Sequence, residues 1–406
     1  MSNSRILFVS SQPPVNGLFE DLLPFLLKKN INVAVLSCTK LSEDRINEKD
    51  YSKVTQIRGP SFKPQSKNLI IRVFNLLIFW FYAFVKITRR PKNEIVFFGS
   101  QPPFISTLGL IINKVTGRRF VCLVNDLYPN ILKETGLLSG QNILYKALKL
   151  MMVKSLNAAE KVFVIGACME ERLIDEGVQK DRIQLIRNWT DEEFIKPMKR
   201  SENGLYGKYI DGEIVFEKNN FYVLYSGNIG LAHDFNLIVE AAKRLQHISK
   251  IKFIFVGQGK RKSQLIKQCK KLKLNNCTFL EPVPYKELSN FLSASHIHFI
   301  SLQKKFCGLV VPSKFYSSLA VGRPVIFNGP SESEVARAIR EHDLGLVVEN
   351  NEIEKVVAFI NQTINNQKDL RKEEVRIINV SKTLYSKRLG LDLYFSNISD
   401  LLSSKK

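Results

Sequence analysis

Acidic residues are scarce in this sequence. Its 406 residues include 38 Asp and Glu against 60 Lys and Arg, which gives a formal net charge of +22. A cationic excess of this size calls for an anionic partner, which can be a nucleic acid, a membrane surface or a phosphorylated substrate. Hydrophobic residues nevertheless make up 45% of the chain, so a disordered or fibrous protein is excluded. The length favours two domains of ordinary size.

Paired cysteines and metal-ligand spacings are also missing. The six cysteines are scattered without a CxxC pair, and most lie in apolar runs, as is typical of buried thiols in a reducing compartment. Of the five histidines, only His296 and His298 lie close together. We interpret both as structural, because they alternate along an apparent strand. We therefore expect no metal requirement and no cofactor.

No apolar run is long enough to span a bilayer. The uninterrupted run from Leu76 to Val85 has only ten residues. The apolar run near the start, Ile6 to Val9, is too short for a secretory signal, which predicts a cytoplasmic protein.

The positive charge is concentrated around that ten-residue run. Residues 51–119 contain twelve Lys and Arg but one acid, Glu94. Two interpretations stay open for the run: a buried helix of a Rossmann-like domain, or an interfacial helix in the headgroup region of a membrane. The second predicts peripheral binding to the inner face of the cell membrane through Arg72, Trp80, Lys86, Arg89 and Arg90.

Short apolar runs alternate with helical patterns along the whole chain, which predicts parallel β-α units. The polar stretch 191–212 interrupts the alternation and is the best candidate for a linker. We therefore predict a Rossmann-like domain at 1–195, a second one at 213–385, and a helix at 386–406 that packs back on the first domain. The predicted strands are RILFVS (5–10), NVAVLSC (32–38), EIVFFGS (94–100), FVCLVND (120–126), KVFVIGA (161–167), IQLIRN (183–188), FYVLYSG (221–227), IKFIFVG (251–257), CTFLEPV (277–283), HIHFISL (296–302), PVIFNG (324–329) and LGLVVE (344–349).

Glycine follows two of the predicted strands at the point where a helix begins. In YSGNIGLAHDF (225–235), Gly227 and Gly230 allow tight turns, so backbone N–H groups can face a diphosphate. In FVGQGKRKSQL (255–265), Gly257 precedes Lys260, Arg261 and Lys262. Cations at a helix start oppose the helix dipole, so they favour a bound phosphate nearby; the alternative is a solvated charged face.

A third helix start lies in VVPSKFYSSLAVGRPVI (310–326). Pro312 suits a first helical turn, Ser313 is a good N-cap, and Gly322 is expected to end the helix. Lys314 places a cation beside backbone N–H groups that already favour an anion.

These motifs, in the order YSGNIG…H, FVGQGK, FLEPVPYKELSNFLSASHIHFI, VPSKFYSSLAVGRPVI and GLVVE, resemble the second domain of glycosyltransferase family 4. DLYPNILKETG (126–136) and IRNWTD (186–191) resemble its branch of colanic-acid and fucosamine transferases. The resemblance implies an α/β fold of GT-B type: two Rossmann-like domains facing across a cleft, with a C-terminal helix returning to the first domain. It also implies that the domain at 1–195 binds the acceptor and that the domain at 213–385 binds the nucleotide sugar.

The resemblance also implies roles for single residues. The turn at Asn16-Gly17 matches the loop that closes over the donor diphosphate, and Asp126 matches an acidic or histidine residue near the transferred sugar. Asn228 and His233 stand where many members have an Arg and a Lys that grip the phosphates. Ser317 stands where classical members carry a glutamate on the ribose. The donor-binding residues that we predict are Gly17, Asn228, Gly230, His233, Gly257, Lys260, Ser313, Lys314, Ser317 and Glu334, and Asp126 is the predicted catalytic residue.

The implied activity is retaining transfer of a hexosyl or N-acetylhexosaminyl unit from a UDP- or GDP-linked sugar. The implied acceptor is a glycan, lipid-linked at the membrane, in the synthesis of a surface polysaccharide such as lipopolysaccharide or capsule. Three alternatives stay open: a degenerate, inactive transferase, a GT-B sugar-nucleotide epimerase, and a basic nucleic-acid-binding protein. We expect no nucleic-acid partner, because no known nucleic-acid motif is present and the aromatics lie in apolar runs.

Overall fold

The chain forms two units, each built on its own parallel sheet. The first comprises Met1–Arg187, Gly308–Val310 and Arg388–Lys406, and the second Asn188–Cys307 and Val311–Lys387. The computed structural model describes residues 5–11, 18–38, 53–60, 69–199, 202–210, 213–214, 216–366 and 370–404.

The sheet of the first unit has seven strands in the order β3-β2-β1-β4-β5-β6-β7, and each paired neighbour runs parallel. Because such strands are covered by helices on both faces, they are almost wholly apolar. The elements are β1 (Arg5–Val9), α1 (Leu18–Lys28), β2 (Asn32–Ser37), β3 (Thr55–Arg58), α2 (Leu69–Thr88), β4 (Ile95–Phe98), α3 (Ile105–Thr116), β5 (Phe120–Val124), α4 (Asn130–Glu134), α5 (Ile143–Ala158), β6 (Lys161–Val164), α6 (Ala167–Asp175) and β7 (Ile183–Leu185).

The sheet of the second unit has six strands in the order β12-β11-β10-β13-β14-β15, also all parallel. The remaining elements are β8 (Tyr209–Ile210), β9 (Glu213–Ile214), β10 (Phe221–Ser226), α7 (Asn236–Arg244), β11 (Ile251–Val256), α8 (Lys262–Lys271), β12 (Cys277–Leu280), α9 (Leu288–Ala294), β13 (Ile297–Ser301), α10 (Lys314–Ala320), β14 (Val325–Asn328), α11 (Glu334–His342), β15 (Gly345–Val348), α12 (Ile353–Asn365), α13 (Leu370–Leu384) and α14 (Lys387–Ser403).

Successive phenylalanines of β4 show which helices cover which face of the first sheet. Phe98 contacts Phe120 at a ring-centroid distance of 5.9 Å, and a Cβ placed on Gly109 of α3 would lie within 3 Å of both rings. Phe97 points to the opposite face, as alternation along a strand requires, and contacts Tyr394 of α14. Helices α3 and α14 therefore lie on opposite faces.

The C-terminal helix α14 completes the core of the first unit. The ring of Tyr394 lies 4.9 Å from that of Phe163 in β6, and Phe395 meets Phe25 of α1 at 6.2 Å. Farther along, the Arg119 guanidinium donates hydrogen bonds to both oxygens of Ser404. The expected return of this helix to the first domain is thus confirmed.

The structure adds three short strands, β3, β8 and β9, and corrects one expectation. All twelve predicted strands are present, but strand β3, at the edge of the first sheet, was not predicted. The stretch 191–212 is part of the second unit rather than a linker. Ile195 and Leu205 are buried in one hydrophobic cluster with Phe216 of that unit, so scattered apolar anchors hold an otherwise polar segment.

Candidate functional site

The carboxyl ends of the second sheet's strands meet at one edge, because all six strands run parallel. This is the edge where open α/β sheets bind ligands. The loops after β10 and β11 touch there through their backbones. Ile229 N donates to Gln258 O at 2.8 Å, and Arg261 N donates to Ile229 O at 3.0 Å.

Glycine is required where these two loops meet. Gly257 has φ of 140°, and a Cβ added to it would lie 2.0 Å from the carbonyl oxygen of Gly227. Gly259, with φ of 155°, would meet the carbonyl oxygen of Ile229 at 2.3 Å. The sequence motifs therefore encode a close backbone-on-backbone contact at this edge.

We expect Gly257→Ala to destabilise the second unit by about 2 kcal/mol or more, because it adds both a backbone clash and an unfavourable φ. Urea unfolding measures the loss. Gly204→Ala is the matched control in the same unit, since a Cβ at Gly204 would meet nothing within 4 Å. If both variants unfold at the same urea concentration, the contact is not a constraint.

Lys314 is the first residue of α10, and its ammonium group is held by Tyr225 at the end of β10. Nζ donates to the Tyr225 hydroxyl at 2.7 Å and lies 4.1 Å from the ring centroid. The same hydroxyl donates to Asn228 O at 2.6 Å, so Tyr225 ties the lysine to the glycine turn. Loss of water around the ammonium lowers the pKa of Lys314 to about 7. A bound anion would restore the full charge.

His233 is buried beside this lysine and cannot supply a second cation. Its Nδ1 lies 2.6 Å from Ser301 O, to which it donates. Burial and the nearby Lys314 lower the pKa of His233 to about 3, so the ring is neutral at pH 7. Arg261 donates to His233 O and is the charged neighbour of the turn. The predicted residue Asn228 is exposed, and its side chain lies against Gly230.

The other predicted donor-binding residues of the second unit lie at the same edge, but their side chains differ in exposure and in contacts. Lys260 is exposed, whereas Lys262 is tied to Glu281 at 2.8 Å. Glu334 is buried in the first turn of α11, directly after the loop that follows β14. Gly17 lies outside the described residues.

One detail of helix α10 differs from expectation. Ser313 occupies the N-cap position, but its side chain makes no capping hydrogen bond. Its φ and ψ of −63° and −25° are helical, whereas an N-cap hydroxyl needs extended backbone. Gly322 ends the helix, as expected: the last helical residue is Ala320, and Gly322 follows the C-cap Val321 with φ of 71°. Gly322 N donates to Leu319 O at 2.9 Å and Arg323 N donates to Ser318 O at 3.0 Å, which closes the last turn. Ser317 donates to Lys314 O at 3.0 Å, one turn back in its own helix.

Three features of this edge were not predicted from the sequence. They are the role of Tyr225, the contact of Arg261 with the loop, and a series of hydrogen-bonded polar side chains across the strand ends. In that series the Asn328 amide donates to Asn350 Oδ1 at 2.8 Å, and the Asn350 amide donates to Asp234 Oδ2 at 3.2 Å. Such contacts join residues far apart in sequence. Of these features, the sequence indicates only Tyr225, because this tyrosine comes directly before Ser226-Gly227 of the glycine turn.

In the first unit, Asp126 lines a small cavity of about 40 Å³ at the carboxyl end of β5. The cavity walls include Phe104 and Ile105 at the start of α3, and Met152 and Leu156 of α5. Burial raises the pKa of the Asp126 carboxyl. A carboxyl group whose pKa is raised by burial is placed to exchange a proton with a ligand in the cavity.

Helix α2 has one buried and one exposed side. Phe79, Ala83 and Ile87 are buried, while Ile70, Val73, Phe74, Leu77 and Phe81 are exposed at three- and four-residue spacing. One face is therefore that of a buried helix, as the first interpretation predicts, and the other face is exposed. Binding of the exposed face to a membrane stays a prediction. No described helix is long and apolar enough to cross a membrane.

The predicted membrane-binding residues divide by their contacts. Arg89 is exposed, and Lys86 lies over the Tyr82 ring. Trp80 is half-buried. Arg90 donates two hydrogen bonds, of 2.5 and 2.7 Å, to the buried carboxylate of Glu94. Arg90 is thus held within the fold by an ion pair, and its contact with a membrane stays a prediction. The side chain of Arg72 lies outside the described part of the chain.

Both histidines near β13 are structural, as expected. His296 Nδ1 accepts from Tyr222 N at 3.0 Å, and His298 Nε2 donates to Leu292 O at 3.0 Å. Burial lowers the pKa of His298 to about 3. Among the described residues, no group of three or more His, Cys, Asp or Glu is placed to hold a metal ion.

Comparisons with known proteins agree on one chemistry. Residues 210–381 match the family model Glycosyl transferases group 1. A Pseudomonas aeruginosa protein named as a glycosyltransferase, WbjE, is 26% identical over 85% of this chain and 84% of that protein. An Escherichia coli (strain K12) protein, WcaI, whose name assigns it to colanic acid biosynthesis as a glycosyl transferase, is 24% identical over 78% of each chain.

The fold has its counterpart among solved structures. The crystal structure of Anabaena HepE in complex with UDP and glucose superposes with a TM-score of 0.71 at 14% identity, covering 98% of this chain and 100% of that one. Residues 210–381 are therefore a group 1 glycosyl transferase domain, the chain has the GT-B fold, and the protein is a glycosyltransferase.

Proposed function

We propose that this protein is a retaining glycosyltransferase of family 4 that takes a hexosyl or N-acetylhexosaminyl unit from a UDP- or GDP-linked sugar. The acceptor is a lipid-linked glycan in the synthesis of a cell-surface polysaccharide such as lipopolysaccharide or capsule. The relatives support this reading, since WcaI is named for colanic acid biosynthesis and HepE was crystallised with UDP and glucose.

The observation that carries the donor assignment is the lysine held at the glycine turns of the second unit. The Lys314 ammonium lies 3.3 Å from the position that a Cβ on Gly227 would take, so at this point of the turn no side chain covers it. A nucleoside diphosphate leaving group develops negative charge as its bond to the sugar breaks. Lys314 and Lys260 would stabilise that charge without a metal ion.

Asp126 is the proposed catalytic residue of the first unit, where the acceptor binds. Its cavity combines apolar walls with Ser100, Ser106 and the carboxyl group. An acceptor hydroxyl that enters the cavity would meet a carboxylate able to accept its proton.

The proposed site of action is the cytoplasmic face of an anionic membrane. The exposed side of α2 carries five large apolar residues and no acid, and Arg89 and Lys92 are exposed just beyond its end. A helix of this kind lies in the interface, where each cation near anionic lipid contributes about 1 kcal/mol.

A thermal-shift series with UDP, GDP and their glucose- and N-acetylglucosamine-linked forms tests the donor assignment. The correct nucleotide at about 100 times its Kd stabilises the native state by about 2.7 kcal/mol, and so raises the melting temperature. ADP serves as the control nucleotide. If no uridine or guanosine diphosphate raises the melting temperature, the donor assignment is wrong.

Product analysis separates the enzyme classes. A transferase releases nucleoside diphosphate in proportion to sugar joined to an acceptor. An epimerase would instead change the sugar without any acceptor, and a nucleic-acid-binding protein would do neither.

A further inference from the structure

Helix α5 shares an unusual composition with α2 and α3. None of these three helices contains an Asp or Glu, although each carries lysine or arginine. The cations of α5 are Lys146, Lys149 and Lys154. This helix lies outside the basic segment 51–119, so a basic helix without acids also occurs beyond that segment.

The outward side of α5 is apolar. Ile143 is 84% exposed, and Leu144, Leu150 and Met151 are exposed on the same helix. Ile111 and Val115 are exposed on α3, one turn apart. Of the seventeen exposed large apolar side chains among the described residues, eleven lie on α2, α3 and α5. A soluble surface does not concentrate apolar groups in this way unless they are covered in use.

The fold joins the three helices into one layer. Helix α3 packs against both α2 and α5. The connections from β4 to β5 and from β5 to β6 run in the same direction along the sheet, and right-handed crossovers then place their helices on one face. The opposite face is occupied by α14 and α1, as the Phe97–Tyr394 and Phe25–Phe395 contacts show.

We propose that α5 is a second lipid-contacting element, and that α2, α3 and α5 together form one layer that docks on an anionic phospholipid bilayer. The charge pattern argues for this occupant. The exposed apolar side chains of the three helices lie among cations and without acids, which matches a bilayer whose negatively charged headgroups cover a hydrocarbon interior. The proposal extends the membrane association proposed above. It rests on the proposed function only for the purpose of docking, which is to bring the enzyme to a lipid-linked acceptor.

The layer also sets where the Asp126 cavity would lie. The first turn of α3 contributes Ile105 and Ser106 to the cavity wall, and α5 contributes Met152 and Leu156. The two helices that contact lipid on their outer sides thus enclose the cavity on their inner sides. A sugar carried at the headgroup level would have a short path to Asp126.

Vesicle flotation with matched double variants tests the role of α5. Ile143→Glu with Leu150→Glu changes α5, and Phe74→Glu with Phe81→Glu changes α2. Val375→Glu with Leu384→Glu is the control, because these residues are exposed apolar positions of α13 in the second unit. The probe is a vesicle of phosphatidylethanolamine and phosphatidylglycerol, with pure phosphatidylcholine as the neutral comparison.

We expect the α5 variant to bind anionic vesicles at least about tenfold more weakly than the control variant, and the α2 variant to do the same. Ile143→Ser with Leu150→Ser should show a smaller loss in the same direction, and guards against misfolding of the glutamate variant. If both α5 variants bind as the control does, α5 is not part of the layer, even where the α2 variant fails to bind.

Two further readouts separate this inference from the proposed function. The α5 variants should keep the thermal shift with nucleotide and the transfer rate to a short water-soluble acceptor. Loss of the thermal shift in the unchanged protein would count against the donor assignment and leave docking intact. If light scattering shows a dimer that the α5 substitutions dissociate, a second copy covers the layer, and the lipid proposal is overturned.

Discussion

Replacing Asp126 by Asn is expected to lower the transfer rate by about 100- to 10,000-fold, the range typical of a lost general acid or base. The amide has nearly the same shape and can still fill the cavity between α3 and α5, but it cannot take up a proton. The effect should appear in kcat with little change in the KM for the nucleotide sugar. Initial rates at saturating donor measure it.

Stability should not fall in the same variant, and the direction follows from the pKa. Burial raises the pKa of Asp126 in the folded protein above its unfolded value, so the fold favours the protonated form. The ionised carboxylate therefore costs stability at pH values above the raised pKa, and the neutral amide removes that cost. The melting temperature at pH 7 should be equal or slightly higher.

Asp181→Asn is the matched control, because this aspartate lies in the same unit with a highly exposed side chain. We expect it to leave both rate and stability unchanged. If Asp126→Asn retains most of the turnover, the catalytic role belongs to another residue of the cavity.

Replacing Lys314 by Ala is expected to weaken binding of a UDP- or GDP-linked sugar by about 10- to 150-fold, which corresponds to about 1.5–3 kcal/mol for hydrogen bonds to a charged group. The lysine is the cation that Tyr225 holds at the glycine turns. Calorimetric titration measures the change. Lys243→Ala, an exposed lysine in the last turn of α7, is the control and should bind as the parent does.

The pH dependence gives a second signature of Lys314. Its pKa in the free protein is lowered to about 7, and a bound diphosphate favours the charged form and raises that pKa. Affinity should thus be constant below about pH 7 and fall as the pH rises towards the higher pKa of the complex. His233, with its pKa lowered to about 3, stays neutral throughout.

In Lys314→Ala this decline should vanish. A nucleotide sugar is the right probe, since its diphosphate diester has no proton to lose near neutral pH. A variant that binds with unchanged affinity and the same pH profile would show that the diphosphate lies elsewhere.

The fold was predictable because its signals are local. Every predicted strand is a short, nearly continuous apolar run, and a parallel sheet covered on both faces demands such runs. Strand β3 was missed because it is an edge strand: only Ile57 of TQIR is strongly apolar, and its neighbours are mostly exposed. The stretch 191–212 was misread because two buried anchors in a polar segment produce no periodicity.

The position of the site was predictable from the sequence, but the contacts and protonation states of its residues were not. The glycine turns after β10 and β11 indicate the ligand-binding edge, because glycine is required only where the backbone is constrained. The ion pair of Arg90 with Glu94 and the neutral state of His233 were not predictable, because both depend on burial and on neighbours brought close by folding. The apolar outer side of α5 was not predicted either, because a sequence does not distinguish an exposed leucine from a buried one.

The return of α14 to the first unit imposes an order on assembly during synthesis. Residues 388–406 leave the ribosome after the entire second unit has been made. Until then, Phe97 and Phe163 lack the aromatic ring of Tyr394 that covers them in the finished protein. The half of the protein that is translated first is therefore the half that finishes folding last, and in the interval its unshielded apolar surface is open to chaperones and to neighbouring nascent chains.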